Sequence, residues 1–185
     1  MRINMPENVS DSISSRGCVH IYTGNGKGKT TAALGLCLRA VGAGFRVYIA
    51  QFMKSGDYSE LRALKRLGSQ VAIEQFGTGR FVRGHPSEED RRVARQGFEA
   101  AQTALASGDF QMVILDESIV ALHQGLLTRE QIQAWIDMRP EPVELVLTGR
   151  YAPPEMIAKV DLVTDMHEVK HYFQNGVTAR VGIEK

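Results

Sequence analysis

The chain has 185 residues, of which 43% are hydrophobic and 23% charged, and its formal net charge is +1. These values are ordinary for one soluble globular domain. The net charge is too small to attract nucleic acid or a membrane surface by electrostatics alone. The sequence contains no apolar run long enough to span a bilayer and no N-terminal secretory pattern, so we expect a cytoplasmic protein without nucleic-acid or membrane partners.

The start of the chain differs in composition from the rest. Residues 1–16 are polar and serine-rich and are predicted to form a flexible N-terminal arm, followed by one domain over residues 17–185. Cys18 and Cys37 lie on the first predicted strand and the helix after it, without disulfide or metal-ligand spacing. Core packing in a reducing compartment is therefore expected for both cysteines.

A glycine-rich turn follows the first predicted strand, residues 18–22, and leads into a helical run that begins near residue 29. It reads Thr-Gly-Asn-Gly-Lys-Gly-Lys-Thr-Thr over residues 23–31. Glycines let backbone N–H groups approach phosphate oxygens, and the helix N-terminus adds roughly half a positive charge. Lys29 is placed to reach the terminal phosphates and the Thr30 hydroxyl to bind Mg²⁺. We predict a nucleoside triphosphate site here.

This turn departs from the usual pattern of Gly, four residues and Gly-Lys-Ser/Thr. The first glycine is Gly24, one residue later than the pattern requires, because position 23 is Thr23. A second lysine, Lys27, also lies inside the turn. These departures suggest that the triphosphate binds in this loop differently from an ordinary ATPase.

The rest of the chain alternates between short apolar runs and helical patterns. Such alternation predicts an α/β fold with a single doubly wound, mostly parallel sheet of the P-loop NTPase (RecA-like) type. Asn175-Gly176 is a hairpin signal, and the alternating residues 177–183 after it predict an antiparallel C-terminal edge strand. The other strands are expected near 46–52, 71–76, 111–115, 143–148 and 161–166, and the helices near 29–43, 58–68, 87–107, 128–138 and 154–159.

Polar residues follow several of the predicted strands, at the edge of a parallel sheet where ligands bind. Asp116 and Glu117 come after an apolar strand, where a carboxylate of a P-loop protein meets Mg²⁺. The pattern leaves open which of the two holds the metal, and whether they instead cap a helix at 118–124. Arg150, after another strand, is predicted either to contact phosphate or to form a surface ion pair. The loops at 51–60 and 76–84 are expected to border the same crevice.

Several of these segments together resemble the CobA/CobO/BtuR-type corrinoid adenosyltransferases, in the same order over residues 17–185. The resemblance implies that the 5′-deoxyadenosyl group of ATP is transferred to the Co(I) of a corrinoid, with release of triphosphate. It also implies Mg²⁺, a reduced flavin or flavodoxin-type electron donor, and a homodimer. The segments are 22–33, 39–42, 51–54, 113–117, 147–150, 169–173 and 176–184.

The resemblance also assigns roles to individual residues. Lys29, Thr30 and Glu117 would be catalytic, and Mg²⁺ would lie at Thr30 and Glu117 with Asp116 in support. Relatives often carry a Phe and a Trp in the loop at 78–84 that displace the lower axial ligand of cobalt; here Phe81 is present, but an arginine stands at position 83. The residues expected to bind ATP or the corrinoid are Asn25, Gly26, Lys27, Gly28, Lys29, Thr30, Thr31, Arg39 and Phe81.

Two other functions share these features. One is a RecA-like ATPase or small-molecule kinase, and the other is a nucleotide-gated binding module without turnover, such as a corrinoid carrier. Arg39, considered by sequence alone, also fits an ordinary solvated helix face. The sequence does not distinguish a complete cobalamin from an incomplete corrinoid as the acceptor.

Overall fold

One six-stranded sheet with helices on both faces forms the domain in the computed structural model, which describes residues 16–80, 82 and 84–184. The strands are β1 (Val19–Thr23), β2 (Val47–Phe52), β3 (Val71–Phe76), β4 (Met112–Asp116), β5 (Glu144–Thr148) and β6 (Leu162–Asp165). The helices are α1 (Lys29–Gly42), α2 (Ser59–Lys65), α3 (Glu88–Ala106), α4 (Ser118–His123), α5 (Arg129–Met138) and α6 (Pro154–Ile157), with 3-10 turns at Gly68–Gln70 and Tyr172–Asn175.

The strand order is β3-β2-β4-β5-β1-β6, and every pairing among the described strands is parallel. The six predicted strands therefore form, close to their predicted bounds, and the doubly wound α/β prediction is confirmed. Because the strands run in one direction, their carboxyl ends meet at one edge of the sheet, and the loops after β1, β2, β4 and β5 converge there.

Buried apolar side chains cover both faces of the central strands, as expected for a parallel sheet between helices. On one face, Trp135 of α5 is fully buried, with its ring centroid 5.7 Å from that of Phe52. On the other face, Cys37 of α1 is buried as a free thiol, and burial raises its pKa to about 11. Cys18 is also free but only partly buried, so neither cysteine forms a disulfide and core packing is confirmed for Cys37.

The predicted antiparallel C-terminal strand is wrong. Residues 177–183 form no strand, and β6 pairs in parallel with β1 at the sheet edge where the return strand was expected. Asn175 ends a 3-10 turn, and Gly176 takes a left-handed conformation with a φ of 80°. No strand among the described residues directly precedes Asn175-Gly176, so the dipeptide has no hairpin arm to reverse. The chain instead folds over the glycine-rich turn.

Among the residues that the structure describes, no helix is long and apolar enough to cross a membrane. The predicted arm at residues 1–16 lies outside the described residues except for Arg16, whose guanidinium pairs with Asp161. Phe81 and Arg83 also lie outside the described part, so the prediction for the loop at 78–84 stays a prediction at those two positions.

Candidate nucleotide site

The glycine-rich turn between β1 and α1 packs tightly against the chain that leaves β6. The Gly26 amide donates to the carbonyl oxygen of Met166 at 2.6 Å, and a Cβ at Gly26 would lie 2.7 Å from the same oxygen. Gly28 has a φ of 125°, a conformation that side-chain-bearing residues rarely adopt, and it stands directly before α1. The side-chain oxygen of Asn25 accepts from the Glu168 amide at 3.1 Å. Contacts with the chain that follows β6 therefore hold the turn in its conformation.

Lys29, the first residue of α1, reaches back under this turn. Its Nζ donates to the carbonyl oxygens of Gly24 and Gly26, each at 2.7 Å. Burial lowers the pKa of Lys29, and the nearby Arg150 guanidinium lowers it further. The buried ammonium has two carbonyl oxygens in place of water. A phosphate oxygen within hydrogen-bonding distance would therefore stabilise it by a charge-assisted hydrogen bond. Lys29 is thus poised for a phosphate.

The Asp116 carboxylate at the end of β4 accepts hydrogen bonds from four side chains. Oδ1 accepts from the hydroxyls of Thr30 at 2.9 Å and Thr148 at 2.7 Å. Oδ2 accepts from Lys54 Nζ at 2.7 Å and Gln51 Nε2 at 3.3 Å. A carboxylate offers about four lone-pair positions, so these donors occupy its whole capacity. Asp116 therefore organises its neighbours and has no free position for another ligand.

Glu117 adopts a different role from that of Asp116. It has a left-handed backbone with a φ of 59°, and its amide donates to the Thr148 hydroxyl at 2.9 Å. Although it immediately precedes α4, its side chain makes no cap hydrogen bond, so the helix-capping alternative is not supported. Burial raises the pKa of the Glu117 carboxyl, and the adjacent Asp116 raises it further. A cation next to this carboxylate would stabilise its charged form and lower the pKa again.

A cavity of about 640 Å³ opens over these residues, within the size range of small-molecule sites. Its walls come from the glycine-rich turn, α1, the loop after β2 with α2, the ends of β4 and β5, and the C-terminal segment, which we define as residues 171–184. The charged side chains that line it are Lys27, Lys29, Lys54, Glu60, Glu117, Arg150 and Glu184.

Comparison with known proteins places the chain in a family. Residues 15–184 match the family model described as ATP:corrinoid adenosyltransferase BtuR/CobO/CobP. The chain belongs to the ATP:corrinoid adenosyltransferase family. It is 35% identical over 179 residues to a corrinoid adenosyltransferase of Pseudomonas aeruginosa, an alignment that covers 96% of this chain and 88% of the relative. A corrinoid adenosyltransferase of Escherichia coli (strain K12) is 33% identical over 177 residues, with 95% and 89% coverage.

The fold has a wider distribution than the family. A KaiC-like protein from Pyrococcus horikoshii OT3 superposes with a TM-score of 0.51 at 16% identity, covering 83% of this chain and 74% of that one. At this identity the likeness concerns the fold alone. The resemblance stated from sequence motifs is confirmed by the family match, and the chain is a corrinoid adenosyltransferase.

The predicted site residues of this adenosyltransferase fall into two groups. Gly26, Lys27, Gly28, Lys29, Thr30, Thr31 and Glu117 line the cavity together. Arg39 does not: it lies exposed on the last turn of α1, roughly 15 Å along the helix axis from Lys29. Asn25 is turned away from the cavity towards the backbone of Glu168.

Arg150, which the sequence left between two roles, lines the cavity of the adenosyltransferase and makes no ion pair with any described residue. The phosphate-contact alternative therefore has the better geometric support. Lys54 was missed as a site residue, although it follows β2 at the same sheet edge where Glu117 follows β4. The rule that selected Glu117 would have selected Lys54 as well.

The described residues contain no group of three or more His, Cys, Asp or Glu side chains able to hold a metal ion by themselves. They do offer the hard oxygen atoms of Thr30 and Glu117 at the cavity wall. Mg²⁺ in nucleotide enzymes is commonly held by one or two protein ligands, with phosphate oxygens and water completing its shell. These residues therefore fit Mg²⁺ that arrives with a nucleotide.

Lys27 is held by the C-terminal segment. Its Nζ donates to the Tyr172 hydroxyl at 2.8 Å, the Ile183 carbonyl at 3.2 Å and Glu184 Oε1 at 2.8 Å. Hydrogen bonds from Arg180, Lys27 and Tyr172, in that order, hold the pKa of Glu184 well below its usual range. In this arrangement a carboxylate occupies the position beside Lys27 that an anionic ligand would take.

We expect Glu184→Gln to bind inorganic tripolyphosphate roughly two- to fivefold more tightly than the native protein at low salt. The change removes the competing negative charge from Lys27 and from the cavity wall, while the amide keeps the side-chain volume. Isothermal titration calorimetry measures the affinity, and the difference should shrink at high salt because salt screens the charge of the exposed Lys27. Glu99→Gln, on the exposed surface of α3, is the matched control. Weaker binding by Glu184→Gln would show that the carboxylate assists the anion.

Proposed function

We propose that the ATP triphosphate binds in the 640 Å³ cavity, with the turn at residues 25–31 around it. The observation that carries this proposal is that Lys29, Thr30 and Glu117 meet at one cavity wall at the carboxyl edge of the sheet. Thr30 and Glu117 would hold Mg²⁺, which would neutralise part of the triphosphate charge, while Asp116 supports Thr30 from behind. Lys29 and Arg150 supply further positive charge at the same wall.

In the proposed reaction, the Co(I) of the corrinoid substrate attacks C5′ of the ribose. A Co–C bond forms, the C5′–O bond breaks, and triphosphate leaves with the bonding electron pair. The nucleophile belongs to the substrate, which agrees with the absence of any Ser-His-Asp or Cys-His arrangement in the sequence. The protein contributes positive charge where the leaving group gains negative charge.

The partners are also part of the proposal. A reduced flavin or flavodoxin would provide the electron that makes Co(I), as the family resemblance implies. The family resemblance implies a homodimer, and the two free cysteines support a cytoplasmic location. The acceptor is either a complete cobalamin or an incomplete corrinoid.

One anaerobic experiment tests the reaction. Chemically reduced cob(I)alamin, Mg²⁺-ATP and the protein are mixed, the visible absorbance is followed, and the phosphate products are separated. The proposal expects adenosylcobalamin with one equivalent of triphosphate. ADP with phosphate and no cobalt–carbon bond would indicate an ATPase, and ATP binding without either product would indicate a binding module. Repeating the assay with a corrinoid lacking the lower ligand distinguishes the two acceptor classes.

A further inference from the structure

The Lys54 ammonium lies among oxygen atoms of three side chains, one of which belongs to Thr30, a candidate Mg²⁺ ligand. Its Nζ is 2.7 Å from Asp116 Oδ2, 3.5 Å from Thr30 Oγ1 and 4.0 Å from Glu60 Oε1. The side chain is 17% exposed and also lines the cavity. Burial acts to lower the pKa of Lys54, but the carboxylates of Asp116, Glu117 and Glu60 outweigh burial and raise it. Lys54 is therefore a charged, largely enclosed cation.

The backbone around Lys54 is held so that the side chain points towards the end of β4. Met53 takes a left-handed φ of 58°, which is costly for a residue with a side chain, and its amide donates to the Phe76 carbonyl at 2.9 Å. Gly77 packs so closely here that a Cβ would lie 2.6 Å from the Lys54 amide nitrogen. A conformation held in this way at a strand end is typical of functional positions.

The saturated hydrogen bonding of Asp116 limits how the site accepts a divalent cation. Two of the four donors, Gln51 and Thr148, lie on strands and are fully buried. The other two, Thr30 and Lys54, face the cavity. When the Thr30 hydroxyl turns its lone pair to a cation, the ammonium of Lys54 is the remaining positive charge next to that cation. Because Lys54 Nζ is 3.5 Å from Thr30 Oγ1, the two cations would repel each other, which favours a position of Lys54 further from Asp116.

We propose that Lys54 is a positioning residue of the adenosyl-transfer site. Without a nucleotide it neutralises Asp116, orients Thr30 and competes with the divalent cation for the position next to Thr30. When metal and nucleotide bind, Lys54 shifts to the triphosphate. This inference rests on the nucleotide site proposed above. The cavity provides the room for the shift, since Lys54 lines it between Thr30 and Glu60. The released ammonium then adds to the charge that Lys29 presents to the phosphates.

The proposal predicts opposite effects on two ligands. Lys54→Met should bind Mn²⁺ alone roughly tenfold more tightly than the native protein, because the competing charge is removed. The same variant should bind tripolyphosphate in EDTA roughly tenfold more weakly, because a charge-assisted donor is lost. Mn²⁺ binding is read by electron paramagnetic resonance and tripolyphosphate binding by calorimetry. Lys65→Met, an exposed lysine on α2, is the charge-matched control, and Lys54→Arg should stay near the native values.

Opposite shifts in the two affinities support the proposal. A loss of both affinities would show that Lys54 only maintains the structure, and unchanged affinities would show that it takes part in neither step; both results overturn the proposal. If Lys54→Met does not fold, Lys54→Gln keeps a donor for Asp116 and carries the same two expectations. Failure of the native protein itself to bind tripolyphosphate would instead overturn the proposed nucleotide site.

Discussion

Lys29→Ala is expected to lower the rate of adenosyl transfer by about 10³-fold or more, the largest effect of any single substitution in this site. The Lys29 ammonium is enclosed beneath the glycine-rich turn, where it contacts two carbonyl oxygens at 2.7 Å. A phosphate that replaces these carbonyls gains a charge-assisted hydrogen bond in surroundings from which water is largely excluded. The anaerobic cob(I)alamin assay measures the rate, and calorimetry with ATP measures the accompanying loss of affinity.

The stability of Lys29→Ala separates a catalytic role from a structural one. Removing two hydrogen bonds costs about 1 kcal/mol each. Because the folded state lowers the pKa of Lys29, keeping this lysine charged opposes folding, and its removal offsets part of that loss. We therefore expect a melting temperature close to the native one. Lys29→Arg should not restore transfer, since the larger guanidinium does not fit a position that is 8% exposed. Transfer at the native rate by Lys29→Ala would show that the glycine-rich turn has no part in the mechanism.

Glu117→Gln is expected to lower Mg²⁺-dependent transfer by about 10²- to 10³-fold, while tripolyphosphate binding in EDTA is retained or improved. Gln has nearly the same shape but lacks the charge that attracts a cation. Since the folded state raises the pKa of Glu117, its ionisation opposes folding above the pKa of the unfolded chain. The substitution removes this cost, so at neutral pH the melting temperature should be equal to or above that of the native protein.

Asp116→Asn provides the contrast to Glu117→Gln. An amide at position 116 would direct an NH₂ group at two of the four donors that now surround the carboxylate. Leaving buried donors without an acceptor costs about 1 to 3 kcal/mol each, so this variant should melt well below the native protein. Thermal unfolding followed by circular dichroism compares the two variants. If Glu117→Gln is the less stable one, the two carboxylates have exchanged the roles assigned here.

The sequence alone was enough to predict the six strands that form and their parallel sheet. Apolar runs such as residues 112–115 have no alternative but burial on both faces, and a glycine-rich turn between a strand and a helix has few uses besides phosphate binding. The role that the resemblance assigns to Arg39 stays a prediction. Its helix is as predicted, but ten residues of α-helical rise take it far from Lys29 along α1.

The C-terminal strand failed as a prediction for a physical reason. Asn-Gly specifies a local left-handed turn, and here Gly176 does adopt one. Whether a hairpin forms around such a turn depends on partners distant in sequence. β6 already covers the exposed edge of β1, and Glu184 pairs with both Arg180 and Lys27 over the glycine-rich turn. The contact between Lys27 and Glu184 joins residues separated by more than 150 positions, which no local pattern encodes.

The sequence by itself determined which residue types stand at each strand end, because strand and turn patterns are local. Only the tertiary structure decided which role each of these residues has. Asp116 is saturated by Thr30, Gln51, Lys54 and Thr148, donors that come from one helix, two neighbouring strands and a loop. Its neighbour Glu117 is turned into the cavity by a left-handed backbone. The donors that fill the hydrogen-bonding capacity of Asp116 come from separate parts of the chain. The roles of the two adjacent carboxylates therefore became distinct only when the chain had folded.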